Sequence, residues 1–213
     1  MPADLGQRLA DRAAHEGLLV DEDLRGKLVA YFEVLQHWNR KINLTSLTDS
    51  DQAIDRLLLE PLAAARYLPH HARIADLGSG GGSPAIPLGL VLSATGLLMV
   101  ESRQRKCAFL REAAREVGLP ATVESARFED VARRGDYIHR FDLVSIRAVR
   151  HDEPALAAAA GLVDDGGLVA LFRGPSGPER FDATAANLAW RETLPLLPST
   201  GSRLTVLFHV ERK

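Results

Sequence analysis

The chain has 213 residues, 46% hydrophobic and 25% charged, with a net charge of −2 and one cysteine. That is enough for one domain with a sizeable core plus a small extension, in the proportions of an ordinary soluble globular protein. The charge excludes a general polyanion binder, the single cysteine excludes an internal disulfide, and no apolar run approaches a membrane span. Met-Pro-Ala-Asp does not have the shape of a signal peptide, so a cytosolic protein is expected.

Leu5, Leu9 and the segment Asp11–His15 predict an amphipathic helix ending near Gly17. Leu24, Leu28, Tyr31, Phe32, Leu35 and Trp38 recur at three and four, which predicts a second helix from Asp21 to about Trp38. The stretch from Trp38 to Ser46 carries no helical stripe. A further helix is expected over Asp51–Glu60, interrupted or restarted at Pro61. Ile74, Ala75 and Leu77 read as a short buried strand. Gly78, Gly80, Gly81 and Gly82 then make a turn in which positive φ costs little and a ligand can reach bare backbone. Ser83 is placed to cap the helix that follows, Pro84–Val91, with Pro84 in its first turn. Next come a strand at Leu97–Val100, a helix over Arg103–Val117 stopped by Gly118, and a strand at Ala121–Glu124. Phe141–Ile146 is apolar enough for the middle of a parallel sheet. A helix over Glu153–Leu162 precedes a fifth strand, Gly166–Phe172. Ala189–Leu196 and Arg203–Val210 are two β-rich runs joined by a hairpin candidate, Pro198–Gly201. The expected fold is α/β, a mostly parallel sheet with a C-terminal antiparallel hairpin. Residues 1–68 read as a helical extension packed on a core of residues 69–213.

The segment Arg73 to Pro87 joins a strand, a glycine turn and a helix start, which is a site for a polar, nucleoside-bearing ligand. The dinucleotide pattern G-x-G-x-x-G fails at Ser83, and no Lys-Ser or Lys-Thr pair completes a phosphate loop. What remains is G-x-G-x-G from Gly78, with Asp76 two places before it. This layout resembles motif I of the Rossmann-like, class I S-adenosylmethionine-dependent methyltransferases. An acid beside the turn suits an ammonium and would repel a pyrophosphate. Glu101, ending the apolar run Gly96–Val100, can accept from both ribose hydroxyls. The plainer alternative is that Asp76 caps a turn and Glu101 starts a helix. Their position at the carboxyl ends of consecutive expected strands favours the ligand.

Longer matches narrow the family. They are Trp38-Asn39 with Ile42-Asn43-Leu44-Thr45, Asp76 to Leu88, Glu101-Ser102 with Arg105-Lys106 and Phe109-Leu110, Arg127 to Asp130, Ser145 to Ala148, Gly166-Gly167 and Arg173-Gly174. On these the chain resembles, almost end to end, the bacterial small-subunit (16S) ribosomal RNA guanine-N7 methyltransferases, also called glucose-inhibited division protein B. The resemblance implies S-adenosylmethionine as cofactor and methyl transfer to N7 of a specific guanine in 16S ribosomal RNA. It also implies naked RNA or an assembling small subunit as partner, a cytoplasmic location and a monomer. The family's cofactor contacts carry over to Gly78, Ser83, Phe128, Glu129 and Arg147, beside Asp76, Gly80, Glu101 and Ser102. A backbone amide and a carboxylate at Phe128-Glu129 can read an adenine, or simply form an acidic helix first turn. Arg147 can hold the methionine carboxylate or an RNA phosphate through its planar fork, or form an ordinary ion pair. The chain departs from the family at Leu57 (usually His), Glu60-Pro61 (usually Asp-Ser), Ser83 (usually aromatic or aliphatic), Ala85 (usually Gly) and Arg173 (usually Lys).

The chemistry agrees with the name. No Pro-Pro pair serves exocyclic amine methylation, and Cys107 lies on an apolar helix face, where it reads as core rather than nucleophile. Guanine N7 has an in-plane lone pair, so positioning and water exclusion suffice and no catalytic acid or base is assigned. Asn39, Arg40, Asn43, Thr45 and Arg173 are the candidate RNA contacts. Arg40-Lys41, Arg103, Arg105-Lys106, Arg133-Arg134, Arg147, Arg150 and Arg173 form a possible basic rim. Asn39, Asn43 and Thr45 equally suit a loop ordered by side-chain bonds. Trp38 stacks a base or belongs to the core. His70-His71 lack a ligand-spaced partner, so no metal site is expected. A methyltransferase of another RNA, a protein or a small molecule, or a non-catalytic cofactor-binding regulator, are the alternatives.

Overall fold

A computed structural model describes residues 4–47, 50–147, 153–176 and 182–210. Helix α1 (Leu5–His15) buries Leu9 and Ala13. Helix α2 (Glu22–Asn39) starts where the Asp21 carboxylate accepts from the Leu24 amide at 2.8 Å, a side-chain cap on an otherwise orphaned donor. It buries Leu28, Tyr31, Phe32 and Leu35, the stripe read from the sequence. Three short pieces then form one uninterrupted helical run: α3 (Asp51–Ile54), a π-helical turn (Asp55–Leu59) and α4 (Glu60–Ala65). Of the two readings at Pro61, the second holds: the chain is not interrupted but restarts as α4. In the widened turn the Glu60 amide returns to the Asp55 carbonyl five residues back. Pro61 then falls in the first turn of α4, where a missing N–H is tolerated.

The sheet has seven strands in the order β3-β2-β1-β4-β5-β7-β6. They are β1 (Arg73–Leu77), β2 (Gly96–Val100), β3 (Ala121–Glu124), β4 (Phe141–Arg147), β5 (Val163–Arg173), β6 (Leu188–Pro195) and β7 (Arg203–His209). The first five are parallel, and β7 runs antiparallel between β5 and β6. Helices α5 (Ala85–Val91), α6 (Gln104–Glu116), α7 (Phe128–Val131) and α8 (Glu153–Leu162) make the crossovers. Expected and observed elements agree within a few residues, except that β5 begins at Val163, directly after α8.

Side chains alternate across the strands, so each face has its own core. Ile74, Leu97, Met99 and Leu143 pack with Tyr31, Phe32, Leu58, Ile86, Phe109 and Leu110, burying the early helices and α6 on one face. Ala75, Leu77, Leu98, Val100, Val144 and Ile146 pack with Leu156, Ala159 and Leu162 of α8 on the other. Each fully buried Leu or Phe contributes about 1.5–3 kcal/mol relative to exposure. Cys107 is wholly buried in the first of these cores. Register decides the next step. Leu77 pairs with both Val100 and Ile146, so β1, β2 and β4 end at one level. The strand order reverses between β1 and β4, the place where α/β sheets open a cleft. Among the described residues, no helix is long and apolar enough to cross a membrane.

Candidate functional site

The glycine turn leaves β1 at that cleft. The Gly78 and Ser79 amides bond the Val100 carbonyl at 2.9 and 3.0 Å, and the Gly80 amide donates to Glu101 Oε2 at 3.1 Å. Glu101 Oε1 accepts from the Arg103 amide at 2.8 Å, so one carboxylate fastens the turn to the start of α6. Gly82 has φ 83°, and a Cβ there would stand 3.0 Å from Ile86 Cδ1 and 3.2 Å from Tyr31 Cε2. Tyr31 itself donates its hydroxyl to the Gly81 carbonyl at 2.6 Å. Burial raises its pKa, keeping that donor protonated. Helix α2 thereby holds the turn from outside the sheet.

Asp76 lies beneath the turn, 1% exposed, and Oδ1 accepts from Ser145 Oγ at 2.5 Å. Burial pushes its pKa up to about 6, against the Ser145 and Ser79 hydrogen bonds and the charge of Arg147, with Glu101 adding a smaller upward push. Two carboxylates so placed favour a cationic ligand.

Two adjoining cavities open over this floor, sharing Gly78, Glu101 and Lys106. One, of about 410 Å³, is bounded by Ser102, Ala126, Phe128 and Glu129. The other, of about 400 Å³, is bounded by Leu44, Thr45, Leu57, Gly80, Ser83 and Arg147. Arg147 ends β4 and donates Nη2 to Glu60 Oε2 at 2.5 Å and Nη1 to Ser83 Oγ at 3.3 Å. Its guanidinium lies 5.8 Å from the centre of the Phe172 ring. Burial lowers its pKa and Glu60 opposes that shift. The second Glu60 oxygen accepts from Ser202 Oγ, tying α4 and the β6–β7 turn to the arginine. Ser83 does not cap α5. Its hydroxyl donates to the Leu57 carbonyl at 2.8 Å, the carbonyl four residues before Pro61.

The model of the family described as rRNA small subunit methyltransferase G (GidB) matches residues 25–196. The chain belongs to this family. Curated relatives named ribosomal RNA small subunit methyltransferase G include one from Azoarcus sp., 33% identical over 195 residues, covering 89% of this chain and 88% of the relative. Another, from Xanthomonas campestris, is 32% identical over 212 residues, covering 98% and 97%. Among solved structures, an O-methyltransferase from Klebsiella pneumoniae matches with a TM-score of 0.62 at 16% identity, covering 98% of this chain and 100% of that one. M. jannaschii TYW2 in complex with AdoMet matches at 0.54 and 15%, covering 76% of each. At such identities the structural likeness shows the fold alone, that of the class I methyltransferases.

The cofactor candidates gather at one cleft. Gly78, Gly80, Ser83, Glu101, Ser102, Phe128, Glu129 and Arg147 line the two cavities, and Asp76 lies under them. Of the RNA candidates, Asn39, Arg40, Asn43 and Thr45 lie together at the end of α2 and in the loop after it, and Arg173 ends β5. Asn39 spends its amide on the loop, accepting from the Leu44 and Thr45 amides and donating to the Thr45 carbonyl, 2.9–3.1 Å. Thr45 Oγ1 accepts from the Leu47 amide at 3.0 Å at the cavity rim. Arg40 is exposed and bonds His37, and Asn43 is exposed. Arg173 is buried, its Nη1 donating to Thr205 Oγ1 at 3.1 Å, and burial lowers its pKa. It ends β5, beside Arg203 of β7. Trp38 packs edge-on against Phe109, so of its two readings the core one holds. Of the basic rim, Arg103 and Lys106 border the cavities, Arg134 pairs with Glu124 at 2.8 Å, and Arg150 lies outside the described residues, as does Ala148 of the Ser145–Ala148 match. Sequence reasoning missed Tyr31 and Glu60. A carboxylate inside Leu57-Leu-Leu-Glu-Pro-Leu62 was the available signal, because a buried acid requires a partner.

Proposed function

We propose that the protein methylates N7 of one guanine in 16S ribosomal RNA, with S-adenosylmethionine as donor. The observation that carries this reading is the pair of adjoining cavities at the strand-order switch, bordered by the glycine turn and Glu101, in a chain of this family. The residues fit the cofactor. Glu101 has used two of about four acceptor positions and keeps capacity for ribose hydroxyls. Phe128 and Glu129 suit the adenine, and Asp76 and Glu101 give the floor the negative potential that a cation needs. Arg147 is fixed on three sides by Glu60, Ser83 and Phe172, and is poised for a carboxylate or a phosphate.

When bound, the cofactor supplies a sulfonium methyl that N7 attacks in line with its ring-plane lone pair, the sulfur leaving with the electrons of the broken bond. N7 carries no proton to remove, so the protein's own task is to orient the two reactants and exclude water. Leu44, Thr45 and Leu57 form the wall that does so on the RNA side. In this reading residues 1–68 are the helical wall, residues 69–213 the cofactor-binding core, and the protein acts as a cytoplasmic monomer.

The test supplies labelled S-adenosylmethionine with 16S RNA and small subunits from a strain lacking the gene, and maps the product by cleavage at N7-methylguanine. We expect one labelled guanine, lost in Glu129→Ala and Arg147→Ala proteins that stay folded. Label at another atom or in another RNA overturns the substrate assignment. Cofactor binding without transfer makes the protein a regulator.

A further inference from the structure

The end of the sheet opposite the cleft carries a second cluster. Among the described residues, His139, Asp165 and His209 each offer a donor atom, all within 4.8 Å of one another. They come from three segments: the loop before β4, the first residues of β5 and the last residue of β7. Each is held by backbone structure. The His139 and Arg140 amides bond the Gly161 and Leu162 carbonyls at 3.0 Å, and His139 itself has φ 51°. Asp165 precedes Gly166-Gly167, where a Cβ on Gly167 would stand 2.7 Å from Val163 Cγ2, so this kink requires glycine. His209 pairs with Leu188 at the edge of the hairpin.

The hydrogen bonds fix which ring nitrogens are free. His139 Nδ1 lies 2.7 Å from the Val163 carbonyl, an oxygen that can only accept. Nδ1 therefore carries the proton and Nε2 presents its lone pair, the orientation that metal-binding histidines adopt. His209 Nδ1 lies 3.1 Å from Asp165 Oδ1. Two ligands of a tetrahedral zinc at about 2.0–2.1 Å stand about 3.3 Å apart. With one donor atom from each residue inside 4.8 Å, no pair of those atoms is more than about 1.5 Å wider than that ligand spacing. The two imidazole rings are neighbours, tilted 37° with centres 5.2 Å apart.

We propose that His139, Asp165 and His209 bind one zinc ion. Two imidazoles and a carboxylate are a borderline donor set suited to zinc, and three protein ligands leave a fourth position for water. The ion sits at the amino-terminal ends of β4 and β5, whereas Gly78 and Arg147 stand at the carboxyl ends, roughly 20 Å away along the strands. It takes no part in methyl transfer. It fastens β7 and the start of β5 to the loop entering β4, and so stabilises the C-terminal hairpin against fraying.

The experiment titrates zinc chloride into chelator-stripped full-length protein by calorimetry and follows thermal unfolding with and without the ion. One saturable site and a raised midpoint are expected. His139→Ala, at an exposed position, and His209→Gln should each weaken binding about tenfold or more, with affinity for S-adenosylmethionine unchanged as the check on folding. His70→Ala/His71→Ala should bind zinc like the parent. Absence of saturable uptake, uptake that survives His139→Ala/His209→Gln, or uptake lost with His70 and His71 would each overturn the site.

Discussion

Pro61 cannot return an N–H to the carbonyl four residues before it, and that carbonyl, on Leu57, accepts from Ser83 instead. That one hydrogen bond couples Ser83 to the helix carrying Pro61. Ser83→Ala should cost about 1 kcal/mol in chemical denaturation, and adding Pro61→Ala should recover part of it, a coupling read from a double-mutant cycle. Additive losses would show the two to be independent. Glu60 is the harsher case. Glu60→Ala leaves the Arg147 guanidinium buried without its carboxylate and should cost about 3–5 kcal/mol, with Glu60→Asp partly restoring it.

Asp76 makes pH a probe of the same floor. Its pKa of about 6 lies above the ordinary 3.8, so between those values the folded protein holds a proton that the unfolded chain has released. Stability therefore falls as pH rises through that window, and the full penalty, on the order of 3 kcal/mol, stands above pH 6. A cationic cofactor prefers the ionised acid, so affinity for S-adenosylmethionine should rise between pH 5 and 7.5, and Asp76→Asn should flatten that rise. A mutant with an undiminished rise would assign it to another group.

At the scale of elements, helix α2 acts on the cofactor turn through one hydroxyl. Tyr31→Phe should lower stability by about 1 kcal/mol and weaken cofactor affinity several-fold, because the Gly81 carbonyl loses its donor. An affinity equal to the parent's would make the contact structural only. The elements were largely legible in the sequence. Apolar runs punctuated by glycine or proline give strand and helix limits to within a few residues, and a period of three to four gives α2. At Pro61 the sequence left interruption or restart open, and the structure decides for restart: a π turn shifts the hydrogen-bond pattern so that Pro61 lands in a first turn. The loop-ordering role of Asn39 was legible in the sequence, and the amides of Leu44 and Thr45 show it.

Across the whole molecule, the site exists because three parallel strands end at one level beside a reversal of strand order. The glycines and acids that mark those ends are local and could be read. Partners far apart in the chain could not: Glu60 meets Arg147 across 87 residues and Tyr31 meets Gly81 across 50, and no local spacing rule joins them. Arg173 likewise meets Thr205 across 32 residues. The central claim is that the cavities sharing Gly78 and Glu101 hold S-adenosylmethionine. Its most direct test is calorimetric titration of the cofactor into the parent protein, Glu101→Gln and Phe128→Ala. The account predicts one site in the parent and an affinity reduced about tenfold or more in both variants with unfolding midpoints preserved. Parental affinity in both would contradict it and place the cofactor elsewhere.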